Sequence, residues 1–229
     1  MKELNYTKIA RIIGILYIIG TAAGILSVPF ISMKNSQDYL IEIAENPNKL
    51  IIGTILELVM GFALAMIPVF AFPILRKFNE IIGIGYIIFR SALETCTYII
   101  QAVCLLALSS LGAAYAAGTQ EAVHIFGAGM SLKAITDSSV NVFIFSAGAL
   151  IFYSTLYIYR LVPGWLSGFG IIAILLHFVS GILVLFGLQE NFDTGSLIMN
   201  MPIAVQEMVL AVWLIIKGFR TTEIKHCSE

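Results

Sequence analysis

Phe89 to Gln101 reads FRSALETCTYIIQ, which places Arg90 four residues before Glu94 inside a long apolar run. At that spacing two residues share one face of a helix, so a guanidinium and a carboxylate come within reach of each other. Three further ionisable residues, Glu57, His177 and Glu207, sit deep in other apolar runs. Gln101, Gln206 and Asn200 are amides placed to complete the hydrogen bonding. Three carboxylates face one guanidinium if the histidine is neutral. In a medium of low dielectric that surplus is expensive, so at least one glutamate is expected to hold a proton near neutral pH. Groups that share protons in this way are suited to binding or translocating a small cation, an amine or a proton. The competing expectation is a structural or interaction protein, in which the polar network only specifies which helix packs on which.

Catalytic signatures are thin. The chain has no HExxH, no GxSxG and no phosphate-binding glycine loop. His124, His177 and His226 are spread over a connecting segment, a helix middle and the C-terminal tail. Ser180, three residues beyond His177, is the local candidate for a nucleophile, but serine at such spacing more often bonds a backbone carbonyl. No catalytic residue is therefore assigned, and an intramembrane enzyme is the third reading. Cys96, Cys104 and Cys227 form an odd set without CxxC spacing, so no metal site and no cofactor is expected.

These charges are notable because the chain has so few. Of its 229 residues 59% are hydrophobic and 12% charged, about half the charged fraction usual in a soluble domain. A chain of this size cannot hide that much apolar surface in one core, so the expected partner is the lipid bilayer. A net charge of −1 without a basic face argues against nucleic acid. Nothing in the sequence sets an oligomeric state.

Six apolar segments are each long enough, at about 20 residues, to cross the hydrocarbon as helices. They lie near 9–31, 50–74, 81–110, 138–159, 165–188 and 197–217, and predict an all-α, single-domain, six-transmembrane-helix bundle over 1–229. Lys2, Lys8, Arg11, Arg76, Lys77, Arg160, Lys217, Arg220 and Lys225 flank one side, against Lys34, Lys49 and Lys133 on the other. The positive-inside rule then puts both termini in the cytoplasm. Counted inward at about 1.5 Å per residue, Glu57 lies about 11 Å below the outer surface, level with Glu94, with Arg90, His177 and Glu207 near the midplane. Left facing lipid these groups would cost on the order of 10 kcal/mol together, so they are expected to face inward as one cluster.

Smaller features add expectations. Gly20 and Gly24, and Gly164 and Gly168, have the GxxxG spacing of closely approaching helices. Ser36 to Glu45 has the pattern of a short surface helix. The segment from Ala116 to Ser139 reads as a plain exposed helix carrying one ion pair, Lys133 with Asp137, the alternatives being a lid or an outward extension of the fourth helix.

Four blocks, ARIIGILYIIGTAAGI, FPILRKFNEIIGIGYIIFRSALET, ALIFYSTLYIYRLVPGWLSGFGIIA and PIAVQEMVLAVWLIIKGF, resemble the prokaryotic membrane family catalogued as domain of unknown function 4386. The resemblance covers nearly the whole chain and implies a compact six-helix domain in a prokaryotic cytoplasmic membrane. It implies no activity. Arg90, Glu94 and Glu207 fall inside the matching blocks.

Overall fold

The computed structural model describes residues 5–31, 42–43, 45–117, 122–190 and 193–220. Among the described residues every regular element is helical, and six helices are long and apolar enough to cross a membrane. The chain is a multi-pass membrane protein. Its helices are α1 (Tyr6–Ile31), α2 (Pro47–Leu75), α3, α4, α5 (Gly164–Leu185) and α6 (Thr194–Ile216). α3 runs as Glu80–Tyr86, a wider stretch Ile87–Leu93 with π-type i→i+5 bonding, and Glu94–Ala116. α4 is built in the same way from Ala122–Ile135, a π-type stretch Thr136–Asn141 and Val142–Ile158.

Local chemistry sets several ends. Asn79 caps α3 by accepting from the Ile82 N–H at 3.2 Å, and Pro47 opens α2 where no backbone donor is needed. Gly187 (φ 67°) and Gly218 (φ 72°) close α5 and α6 in the left-handed conformation that only glycine adopts freely. α4 is closed in the same way by Arg160, the one non-glycine residue with positive φ (50°) among those described.

Successive helices pack on each other and α6 returns to α1, so the bundle is a ring of antiparallel neighbours. The register shows in the close approaches: Gly14 against Ala211 and Ile215, Gly20 against Leu64, Gly24 against Met60, Gly61 against Tyr98, and Gly148 against Phe89 and Arg90. Both described ends consequently lie at the same end of the bundle. The interior is filled by Ile13, Tyr17, Ile67, Tyr86, Phe152, Tyr153 and Leu210, while Ile18, Ile25, Phe62, Val103, Ile172 and Val212 point outward. Apolar residues on the outer face are the arrangement lipid requires.

Two expectations need correction. The fourth span begins at Ala122 and not near 138, because the weakly polar segment before it continues as helix through the π-type turn. Gly164 and Gly168 are not points of tight approach: a Cβ at either would meet only the Tyr157 ring, at 3.8 Å, whereas one at Gly170 would meet Tyr153 at 2.8 Å. Cys104 packs inside, but Cys96 faces out. Of the expected surface helix only Glu42, Ile43 and Glu45 are described, with Ile43 buried against Leu50, Leu105 and Leu108 at the end of the bundle away from the described termini. Lys34, His226 and Cys227 lie outside the described residues.

Candidate functional site

Arg90 sits in the π-type stretch of α3 and is 2% exposed. An i→i+5 stretch shifts the side chains that follow around the helix axis, and such stretches recur at functional sites. Here the stretch directs Arg90 to the middle of the ring. Its Nη1 lies 2.7 and 2.8 Å from the two carboxylate oxygens of Glu94, and its Nη2 lies 3.1 Å from Glu207 Oε1 on α6. The guanidinium stacks on the Phe145 ring of α4, 4.3 Å from its centroid. One cation is thus held by charge on two sides and by a π face on the third.

The two carboxylates are held unequally. Glu94 receives Nη1 on both oxygens, and the Tyr98 hydroxyl donates to it at 3.0 Å. Glu207 has one contact and retains 12% side-chain exposure, against 1% for Glu94. Around them stand three buried phenols from three helices, Tyr17, Tyr86 and Tyr153, within electrostatic reach of Arg90 and Glu207. The hydroxyls of Tyr86 and Tyr153 make no hydrogen bond of good geometry although the Tyr17 phenol is nearby. Buried polar atoms are nearly always paired, and the Tyr17 phenol is the partner at hand for both.

The sequence reading did not pick out these tyrosines. Tyrosine in a membrane helix normally sits at the interface with its hydroxyl in reach of water, whereas these three are buried in the interior of the bundle.

The remaining expected residues separate into other groups. His177 Nδ1 meets Asn200 Oδ1 at 2.8 Å, and the imidazole packs at a steep angle against Phe145, with ring centroids 5.2 Å apart. His177 and Arg90 therefore share an aromatic wall without touching. The histidine is bonded to Asn200, not to Ser180, so the pairing a serine nucleophile needs is not formed. Asn200 thus serves His177 and not the arginine. Gln206 donates to the Leu166 carbonyl at 3.3 Å and leaves its Oε1 unpartnered, and buried Gln101 leaves its Nε2 unpartnered.

Glu57 does not join Arg90, which corrects the expectation of one layer. Gly61 faces Tyr98, Glu57 lies one turn outward of Gly61, and Glu94 lies one turn inward of Tyr98. That offset is about 12 Å along the bundle. Glu57 faces Lys133 of α4 at 3.8 Å, and Lys133 in turn lies 4.0 Å from Asp137. Lys133 is buried to 9%, so this part of α4 is no plain exposed helix with one ion pair. Glu57 Oε2 has no partner. Between the two groups, Thr97 Oγ1 lies 2.7 Å from Asn141 Oδ1 and 2.7 Å from the Glu94 carbonyl.

Among the described residues no group of three His, Cys, Asp or Glu side chains could hold a metal ion. The fold and these groups define a class: a multi-pass helical membrane protein with a buried guanidinium–carboxylate cluster at the centre of its ring. The chain belongs to the family described as domain of unknown function DUF4386, whose model matches residues 12–218. Neither the curated proteins nor the solved structures include a match.

Proposed function

We propose that this protein binds a proton or small cation, such as a protonated amine, at the Arg90–Glu94–Glu207 cluster, with Glu207 as the exchanging group. The reading rests on one observation: Arg90 engages both oxygens of Glu94 but only one oxygen of Glu207. One guanidinium balances one carboxylate, and at low dielectric the second carboxylate calls for a further positive charge. The buried phenols Tyr86 and Tyr153, grouped with Tyr17 beside Glu207, fit the same role, since a hydroxyl can donate to a carboxylate or accept from a proton carrier. The tight packing around Arg90 favours the smallest ligand, the proton. We further read the chain as one domain in a prokaryotic cytoplasmic membrane, with both termini in the cytoplasm.

A second reading, a structural lock, draws on the Arg90–Glu94 pair itself. It is almost completely buried and joins α3 to α4 through Phe145 and to α6 through Glu207. The two readings part at Glu207. Thermal unfolding of the purified protein across a pH series, with sodium, potassium, ammonium and small alkylamines, distinguishes them. Ligand binding to the folded state raises stability by an amount set by concentration over Kd. A saturable rise, or a pH-dependent stability, that Glu207→Gln removes while the protein stays folded supports the site. An unchanged response in that variant leaves only the lock.

A further inference from the structure

The end of the bundle that carries both described termini holds a second feature, unconnected with the buried cluster. The turn after α4 places Arg160 in the left-handed conformation usual for glycine at a helix end, with the Leu161 N–H bonded to the Leu156 carbonyl at 3.0 Å. The chain leaving α6 is pinned to the same turn, because the Arg220 N–H donates to the Leu161 carbonyl at 2.9 Å. Leu161 and Val162 are fully buried and Phe219 nearly so. The backbone beneath both arginines is therefore fixed while their side chains are free to reach outward.

Those side chains line an open cleft of about 460 Å³ together with Tyr157, Ile158 and Gly164. Gly164 is the first residue of α5, whose first intrahelical donors are the Leu166 and Ser167 N–H groups, both bonded to the Pro163 carbonyl. The N–H groups of Gly164 and Trp165 lie before that ladder, at the positive end of the helix dipole. A Cβ at Gly164 would meet only the Tyr157 ring, so the glycine leaves space and is not required for helix contact. Among the described residues neither arginine has an ion-pair partner. Trp165 and Tyr157 are both more than half exposed beside the cleft, as amphipathic rings at headgroup level are.

We propose that this cleft binds a phosphate ester, the phosphodiester of an anionic phospholipid in the adjoining leaflet. Two guanidiniums match a phosphate in geometry and charge, the α5 N-terminus adds backbone donors, and the aromatic pair marks the depth at which lipid phosphates lie. Arg76, Lys77 and Lys217 add long-range attraction at the same end.

The test is thermal stability of the full chain in neutral detergent, titrated separately with short-chain phosphatidylglycerol, short-chain phosphatidylcholine and inorganic phosphate. The expected result is saturable stabilisation by phosphatidylglycerol, little by phosphatidylcholine, and weak competition by millimolar phosphate. R160Q/R220Q should weaken the phosphatidylglycerol response at least tenfold, and Gly164→Leu, which fills the cleft without changing charge, should do the same. R76Q/K77Q, at the same end but outside the cleft, should not. Equal stabilisation by the two lipids, an unchanged response in R160Q/R220Q, or an equal loss in R76Q/K77Q would overturn the site. Inorganic phosphate stabilising as strongly as phosphatidylglycerol would overturn the lipid as its source. Lipid-free unfolding of each variant separates lost binding from lost folding.

Discussion

The bundle buries charge in two places and treats it differently. At its centre, Arg90 and Glu94 lie at 2.7 Å, both all but fully buried, with Tyr98 and Phe145 closing the remaining sides. About 12 Å outward, Lys133 stands 3.8 Å from Glu57 and 4.0 Å from Asp137, and Asp137 keeps 32% exposure. The inner group is held by hydrogen bonds and the outer one only by proximity. The central charges are satisfied by their neighbours, whereas in the second group Asp137 alone is open to solvent, Lys133 and Glu57 are buried, and Glu57 Oε2 has no partner.

If that contrast is correct, the largest effect comes from Arg90→Met. It strands Glu94 and Glu207 and should cost about 3–5 kcal/mol in detergent unfolding, a loss that shrinks at low pH where the glutamates take up protons. A cost under about 1 kcal/mol would mean that the arginine contributes little to a fold it sits inside. Tyr98→Phe comes next. It removes one donor to a carboxylate and should cost about 1.5–3 kcal/mol with the ring packing intact. Lys133→Met removes the looser of the two buried contacts, 3.8 Å from Glu57, and should cost about 1–3 kcal/mol, less than Arg90→Met because no hydrogen bond is lost with it. A penalty equal to that of Arg90→Met would erase the distinction between the two regions.

The smallest effect lies outside the spans. Asp193 caps α6, accepting from the Ser196 N–H at 2.6 Å and from Gln189 at 3.0 Å, and these bonds hold its carboxyl below the usual aspartate range. A depressed folded value means that the cap stabilises above the unfolded pKa and is lost as pH falls through the folded one. Asp193→Ala should raise amide exchange in the first turn of α6 and abolish the acid sensitivity of that turn. Exchange spreading to the α6 turn around Glu207 would show that the end and the centre are coupled.

Much of this was legible in the sequence. The six spans follow from apolar length alone, and the Arg90–Glu94 pair follows from its spacing. What failed had physical causes. Counting residues inward gives depth only along an ideal helix, and it says nothing of the pairing between antiparallel helices, so Glu57 was placed level with Glu94. The α4 segment carrying Lys133 is only weakly polar, and its helix begins before the apolar run announces it. The π-type stretches that aim Arg90 and Asn141 leave no compositional trace. Tyrosine fits an apolar core as well as a polar one, which hid Tyr17, Tyr86 and Tyr153.

The central claim is that the surplus charge of the cluster resides on Glu207. Infrared difference spectroscopy of the reconstituted protein, stepped through pH in water and in deuterium oxide, observes the protonated-carboxyl band directly. The account predicts a band that titrates reversibly in the wild type, disappears in Glu207→Gln and persists in Glu94→Gln. A band lost in Glu94→Gln but retained in Glu207→Gln would contradict it, as would the absence of any titrating carboxyl in the wild type.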